Sequence, residues 1–218
     1  MAVNFVNPIP RALREDPVFK FGLLLRLALI ALLAPQIQTE WFVPFLERTI
    51  AQPSLDPWSE FLTDGGNPLA YPYGPVMLFV HLAGSLPGWL IDAASGQHAF
   101  TAIGFRISLL FADLAGLVLL FRIFPQQPRK LLWLYWWSPI LLFVTYWTGQ
   151  TDIVPVALLL LSLAFLQHYR AKASGVALGL ALRGVVDRGV IAEGTLADTV
   201  LANTFLGLRA PTPTKRKR

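Results

Sequence analysis

Apolar positions in this chain fall in long runs, not in the spaced stripes of a soluble helix. Residues 103–124 form one run of membrane-spanning length, where roughly 17–25 mostly apolar residues are needed. Residues 153–169 make a second at the short end, and residues 131–147 a third with Ser138-Pro139 in its middle. Residues 21–37 make a fourth, interrupted by Arg26. The pattern predicts an all-α, polytopic membrane protein. A further apolar stretch, residues 75–93, is broken by Ser85-Leu86-Pro87-Gly88.

Charge orders these runs. Arg11, Arg14 and Lys20 precede the first run, and residues 38–74 hold Glu40, Glu47, Asp56, Glu60 and Asp64 against Arg48 alone. The positive-inside rule then places the N-terminus in the cytoplasm and this loop outside. Arg122, Arg129 and Lys130 mark an inner loop, and Arg170 and Lys172 mark another. All loops agree if residues 75–93 lie along the outer surface or dip in and return. The expectation is therefore about four full crossings, within four to six membrane helices, plus one outer juxtamembrane helix. Trp133, Trp136 and Trp137 are expected at the inner end of the third crossing, with Tyr146 and Trp147 at its outer end, as interfacial anchors.

Composition narrows the class. Of 218 residues, 55% are hydrophobic and 14% charged, against about a quarter charged in soluble domains. Without cysteine, no disulfide or zinc-thiolate site can form. The net charge of +5 sits largely in membrane-flanking loops and in Lys215-Arg216-Lys217-Arg218, so it does not argue for nucleic acid. Polar residues 1–17 are expected to lead into a retained first helix, not a cleaved signal. The run at 173–182 is too short to span. Residues 1–182 thus form the expected transmembrane domain, and residues 183–218 an atypical, poorly ordered tail with a loose amphipathic helix over 185–202. An interrupted membrane helix of this kind is what a frameshift or truncation would produce.

Four constellations could carry chemistry. Glu40 follows the first run at once, and a partly desolvated carboxylate at the bilayer surface can take a proton from a hydroxyl. A solvated loop charge is the plainer reading. The segment from Asp64 to Pro75 carries Gly65, Gly66, Pro68, Tyr71, Pro72 and Tyr73, a rigid shaped loop or a simple connector. Arg106 and Asp113 are seven residues apart on roughly one helical face. Arg106 could hold a phosphate or snorkel, while Asp113 in mid-membrane calls for a partner, for which Arg26 is the candidate. The turn Gly149-Gln150-Thr151-Asp152 could cap the following helix or add polar groups on the outer side. His81, His98 and His168 are scattered with no metal-ligand spacing.

In order along the chain, Glu40, Tyr71-Pro72-Tyr73-Gly74-Pro75, Arg106 through Asp113-Leu114, and Trp136-Trp137-Ser138-Pro139 leading to Gly149-Gln150-Thr151-Asp152 resemble membrane glycosyltransferases of the GT-C superfamily. The resemblance covers residues 20–182 and is closest to enzymes that use polyprenyl-phosphate sugars. It implies transfer of a hexose, mannose foremost, from a lipid-phosphate donor at the outer face of a bacterial plasma membrane. Glu40 would be the base, with Asp64 its rival. Tyr71, Tyr73, Arg106, Gln150 and Asp152 would contact substrate, and Arg26 and Asp113 would be structural. No cofactor and no metal ligand is implied. Because such enzymes are usually longer, the resemblance implies that the chain is an N-terminal half, inactive alone or completed by another membrane subunit. The competing readings are a non-catalytic subunit or pseudoenzyme of a polysaccharide or glycolipid assembly, and below that a transporter.

Overall fold

A computed structural model describes residues 14–67, 70–97 and 99–185. The described residues are helical without strands, as the apolar runs predict. Helix α1 is Pro17–Leu32, started by Asp16, whose carboxylate accepts from Val18 N at 2.8 Å. A π-turn, Ile37–Phe42, leads into α2, Val43–Ala51. The short α3 is Pro57–Thr63, α4 is Pro75–Ser95 and α5 is Phe100–Ile123. Then come α6, Pro128–Leu131, and α7, Pro139–Leu142, each running on into a π-turn, Leu132–Trp136 and Phe143–Trp147. Helices α8, Ile153–Gln167, and α9, Ala171–Val185, follow.

The spans differ from those expected. Among the described residues, α4 and α5 are long and apolar enough to cross a membrane, and a third span arises only if α1 is joined to Ile37–Ala51 across a 59° bend. The run at 21–37 therefore ends as a straight helix at Leu32. The run at 131–147 is not one helix, because Ser138 leaves the helical region (ψ 115°) ahead of Pro139 and caps α7, accepting from Leu141 N at 3.3 Å. With 15 residues, α8 falls short of a span. The run at 173–182 belongs to a helix that continues to Val185. The expected tail beyond it lies outside the described residues.

The largest correction concerns residues 75–93. They are not broken at Ser85–Gly88: α4 is a continuous helix of 21 residues with Pro87 inside it. Its packing supplies the reason. A Cβ on Gly84 would stand 2.8 Å from Gly104 O, and one on Gly88 would run into the Phe100 carbonyl. The bare backbone of α4 thus seats directly on α5, the small-residue contact typical of membrane helices. Gly96 ends α4 in the left-handed region (φ 68°). Asp92 then starts α5, accepting from Thr101 N at 2.7 Å and Phe100 N at 3.1 Å. His81 lies against Ser108 at 2.7 Å. The two helices are therefore antiparallel, with the first turn of α4 beside the middle of α5.

Contacts fix the other directions. Phe19 packs with Leu117 and Phe121, and Arg106 reaches the carbonyls of Ile30 and Leu33, so α1 is antiparallel to α5. Ile153 and Val154 cluster with Phe105 and Leu109, while Leu160 lies near Gly116, so α8 is parallel to α5. Ser162 bonds Ser174, so α9 returns antiparallel along α8. One end of the bundle consequently gathers Arg14, Lys20, Arg122, Arg129, Lys130, Arg170 and Lys172, with Glu15 and Asp16. The other gathers Glu40, Glu47, Asp56, Glu60, Asp64, Asp92 and Asp152, with Arg48, Arg106 and Arg183.

Candidate functional site

The dispersed motifs meet at the acidic end. Gln38, in the π-turn after α1, donates its amide to Gly149 O at 3.0 Å. Gly149 adopts φ 81°, and a Cβ there would come within 2.8 Å of the Gln38 amide, so glycine is required twice over. From the same turn Phe42 packs edge-on to Tyr71 and Tyr73 at 5.9 and 5.6 Å, and lies 5.8 Å from Phe105. Arg106, one residue on, donates to the Ile30 carbonyl at 2.6 Å and to that of Leu33. A single stretch, residues 30–42, thus touches the Tyr71–Tyr73 loop, the Arg106 level of α5 and the Gly149 turn.

Tyr71 is the strained member. It is fully buried at φ 56°, a region that bulky side chains rarely adopt. Such strain costs on the order of 1–3 kcal/mol and persists only where surrounding contacts enforce it. Phe45 stacks on the ring at 5.0 Å and Trp58 Nε1 donates to the Tyr71 carbonyl at 3.2 Å. Burial pushes the Tyr71 hydroxyl well above its usual range, and the hydroxyl has no partner. His81 faces the same ring at 6.1 Å. Ser108 Oγ donates to the Phe105 carbonyl at 2.6 Å, so it accepts from His81 Nδ1–H. That leaves His81 Nε2 an unpartnered buried acceptor.

The acids separate into committed and open ones. Asp64, the rival base, is held by Arg48 at 2.8 and 2.9 Å, and Glu60 shares the same guanidinium at 3.0 Å. Glu40 is exposed on the π-turn and accepts from the Gln36 amide at 2.9 Å. Asp152 is also exposed and, although it stands at the start of α8, makes no side-chain cap. Gln150 is half-buried beside it, and Thr151 is fully buried with its hydroxyl unpartnered. Arg106 is 7% exposed and closes the carbonyl end of α1. Unpaired carbonyls at a helix C-terminus attract a cation, which is a structural use of the residue expected at a phosphate. Among the described residues no group of three or more His, Asp or Glu could hold a metal ion.

Away from this surface lies a dry ionic node. Arg26 Nε donates to Asp113 Oδ2 at 2.7 Å with both side chains fully buried. Tyr146 O–H donates to the same oxygen at 2.8 Å, and Tyr135 O–H donates to the Asp113 carbonyl at 3.2 Å. The Trp136 indole covers Arg26, with Cζ 3.5 Å from the ring centroid, stacks on Phe19 at 5.2 Å and donates to the Phe19 carbonyl at 3.1 Å. Gly22 makes room, since a Cβ would overlap that indole. Trp136 and Tyr146 are therefore core residues and not the interfacial anchors expected; Trp133 and Trp147 are exposed. Gln38 and His81 went unread as site residues. Gln38 carried a signal, one polar side chain directly after the first apolar run, but its partner is 111 residues away.

No known family, curated protein or solved structure matches this chain.

Proposed function

We propose that the chain is a membrane glycosyltransferase, or the N-terminal half of one, acting at the acidic end of the bundle. One observation carries this reading: the Tyr71–Tyr73 loop, Arg106 and the Gly149 turn converge on residues 30–42, the stretch that holds Glu40. Convergence of distant polar and aromatic segments at one end of an apolar bundle is what a site for a lipid-borne polar substrate needs. The basic end then faces the cytoplasm of a bacterial plasma membrane and the acidic end faces outward.

In this reading Glu40 is the base. Its carboxylate is exposed and, among the described residues, makes no salt bridge, unlike that of Asp64. It takes the proton of an acceptor hydroxyl as that oxygen bonds to the sugar's anomeric carbon. The bond from that carbon to the phosphate oxygen breaks, and polyprenyl phosphate leaves. Tyr73 and Gln150, both partly exposed, supply contacts to a hexose such as mannose, and Asp152 is a second open carboxylate. Another membrane subunit would complete the donor phosphate site. The test is transfer of labelled hexose from a polyprenyl-phosphate donor in membranes containing the full chain. Glu40→Gln is expected to lower the rate about 100-fold or more, and Asp64→Asn to leave it unchanged. Full activity in Glu40→Gln would remove the proposed role.

A non-catalytic membrane subunit is the second reading. It is favoured by the commitment of Arg106 to α1 carbonyls, which leaves this chain without the phosphate-binding cation expected there. It predicts stable co-purification with another membrane protein and no transfer by either protein alone.

A further inference from the structure

Residues 30–42 are held at three points. Arg106 takes the carbonyls of Ile30 and Leu33, and Phe42 packs against Tyr71, Tyr73 and Phe105. Between them Gln38 reaches the turn that leads to Gln150 and Asp152. The middle tie matters because α1 does not pass its direction on to this stretch. Leu33 leaves the helical region (ψ 147°), and the chain bends by 59° between α1 and Ile37–Ala51. Side contacts must therefore fix the turn that bears Glu40.

Gln38 and Glu40 are two residues apart, which puts them on opposite sides of a helical turn. Gln38 is 1% exposed, whereas Glu40 is open to solvent. What holds Gln38 inward thus sets where Glu40 points outward. Across the bond stands a single peptide plane. Its carbonyl, that of Gly149, accepts from the Gln38 amide at 3.0 Å, and its N–H, that of Gln150, donates to the Val144 carbonyl at 3.0 Å. A peptide unit is rigid and planar, so a plane pinned at its oxygen and its nitrogen also fixes the Cα of Gln150. Gly149 is buried. Without the Gln38 amide its carbonyl would be left unpaired, and the turn would rotate to pair it elsewhere.

We propose that Gln38 is a positioning residue: by holding the Gly149–Gln150 peptide it fixes Glu40 relative to Gln150 and Asp152, so that base and sugar contacts meet one substrate. The catalytic consequence rests on the glycosyltransferase reading; the fixed separation does not.

The test reads distance and rate separately. The chain has no cysteine, so Glu40→Cys/Asp152→Cys puts spin labels at two exposed positions alone. Double electron–electron resonance of the full chain in lipid nanodiscs then gives their separation. One narrow separation is expected with Gln38 in place, and a longer or broadened one when Gln38→Met removes the amide at similar length. Thr39→Val deletes bonds within the same stretch and should leave the separation narrow. In the unlabelled chain, with a polyprenyl-phosphate hexose as donor, Gln38→Met should lower kcat about tenfold with KM unchanged, and Thr39→Val should alter neither. Should Gln38→Met fail to fold, Gln38→Asn, whose amide is one methylene too short for Gly149, is expected to give the same reading. Three outcomes would overturn the proposal: a narrow separation kept by a folded Gln38 variant, equal broadening in Thr39→Val, or an active wild type whose kcat the Gln38 variants leave unchanged. No transfer by wild type, with a separation that still depends on Gln38, would count against the glycosyltransferase reading and uphold the positioning.

Discussion

Among the described residues, the Arg26–Asp113 and Arg48–Asp64–Glu60 clusters share nearly the same geometry in opposite surroundings. Arg26 and Asp113 meet at 2.7 Å with 0% of either side chain exposed. Arg48 meets Asp64 at 2.8 Å and Glu60 at 3.0 Å, with the two carboxylates 57% and 47% exposed. Distance alone would rank them equal. Burial separates them, because an exposed pair exchanges solvent for a partner at little net gain, whereas a buried charge that loses its partner has no solvent to return to. The inner pair is accordingly surrounded by dedicated support: the Gly22 carbonyl, the Trp136 ring and the Tyr146 hydroxyl. The outer cluster is joined by Ser54, bonded to Glu60, and the Gln52 carbonyl, bonded to Arg48, and stays largely open to solvent.

The largest expected effect comes from stranding a charge in the dry cluster. Asp113→Ala should cost about 3–5 kcal/mol, read from equilibrium unfolding in mixed micelles. The double variant Arg26→Met/Asp113→Leu should recover most of that loss. Equal instability of the single and double variants would mean that burial of the charge is not the cause.

Removing one supporting bond is gentler. Tyr146→Phe deletes a hydrogen bond to a charged acceptor and should cost about 1.5–3 kcal/mol in the same assay. No loss would mean that Arg26 alone satisfies Asp113.

The outer cluster should give the smallest response. Glu60→Gln should move the unfolding midpoint slightly at low salt and not at all at high salt. The Ser54 hydroxyl, and then Arg48, hold the Glu60 carboxyl below its ordinary value of 4.5. A depressed carboxyl contributes stability that is complete above its unfolded value and is lost as pH falls through the folded one. Wild type should therefore lose a small increment of stability below the ordinary carboxylate range that Glu60→Gln lacks. Identical acid limbs for the two proteins would place the pH sensitivity elsewhere.

Two prolines show how far local sequence reaches. Both Pro87 and Pro139 sit inside apolar runs and follow a break signal. At Pro139 the chain does break, because Ser138 can cap the new helix and does so. At Pro87 it does not, because Leu86 has no capping group and the neighbouring Gly84 and Gly88 lock α4 onto α5. Tertiary packing overrides propensity there, and no local pattern revealed which surface those glycines would meet. The candidate site divides similarly. Glu40, Tyr71, Arg106 and Asp152 were legible as polar or shaped positions at the borders of apolar runs. That Asp64 is committed to Arg48, Arg106 to the end of α1, and Gln38 to Gly149 depended on contacts across 16 to 111 residues.

By itself the sequence determined the helical class and the separation of charge, because long apolar runs leave a bilayer helix as the way to satisfy their backbone and most charges fall between the runs. It also determined that Asp113 needs a partner, since a lone carboxylate in such a run is too costly. Only the tertiary structure decided that α4 is whole, that the run at 131–147 is divided, and that residues 30–42 touch the Tyr71–Tyr73 loop, Arg106 and the Gly149 turn. Those outcomes rest on which backbone, ring or carbonyl each residue meets, and the sum of these contacts outweighs the local preference of any short segment.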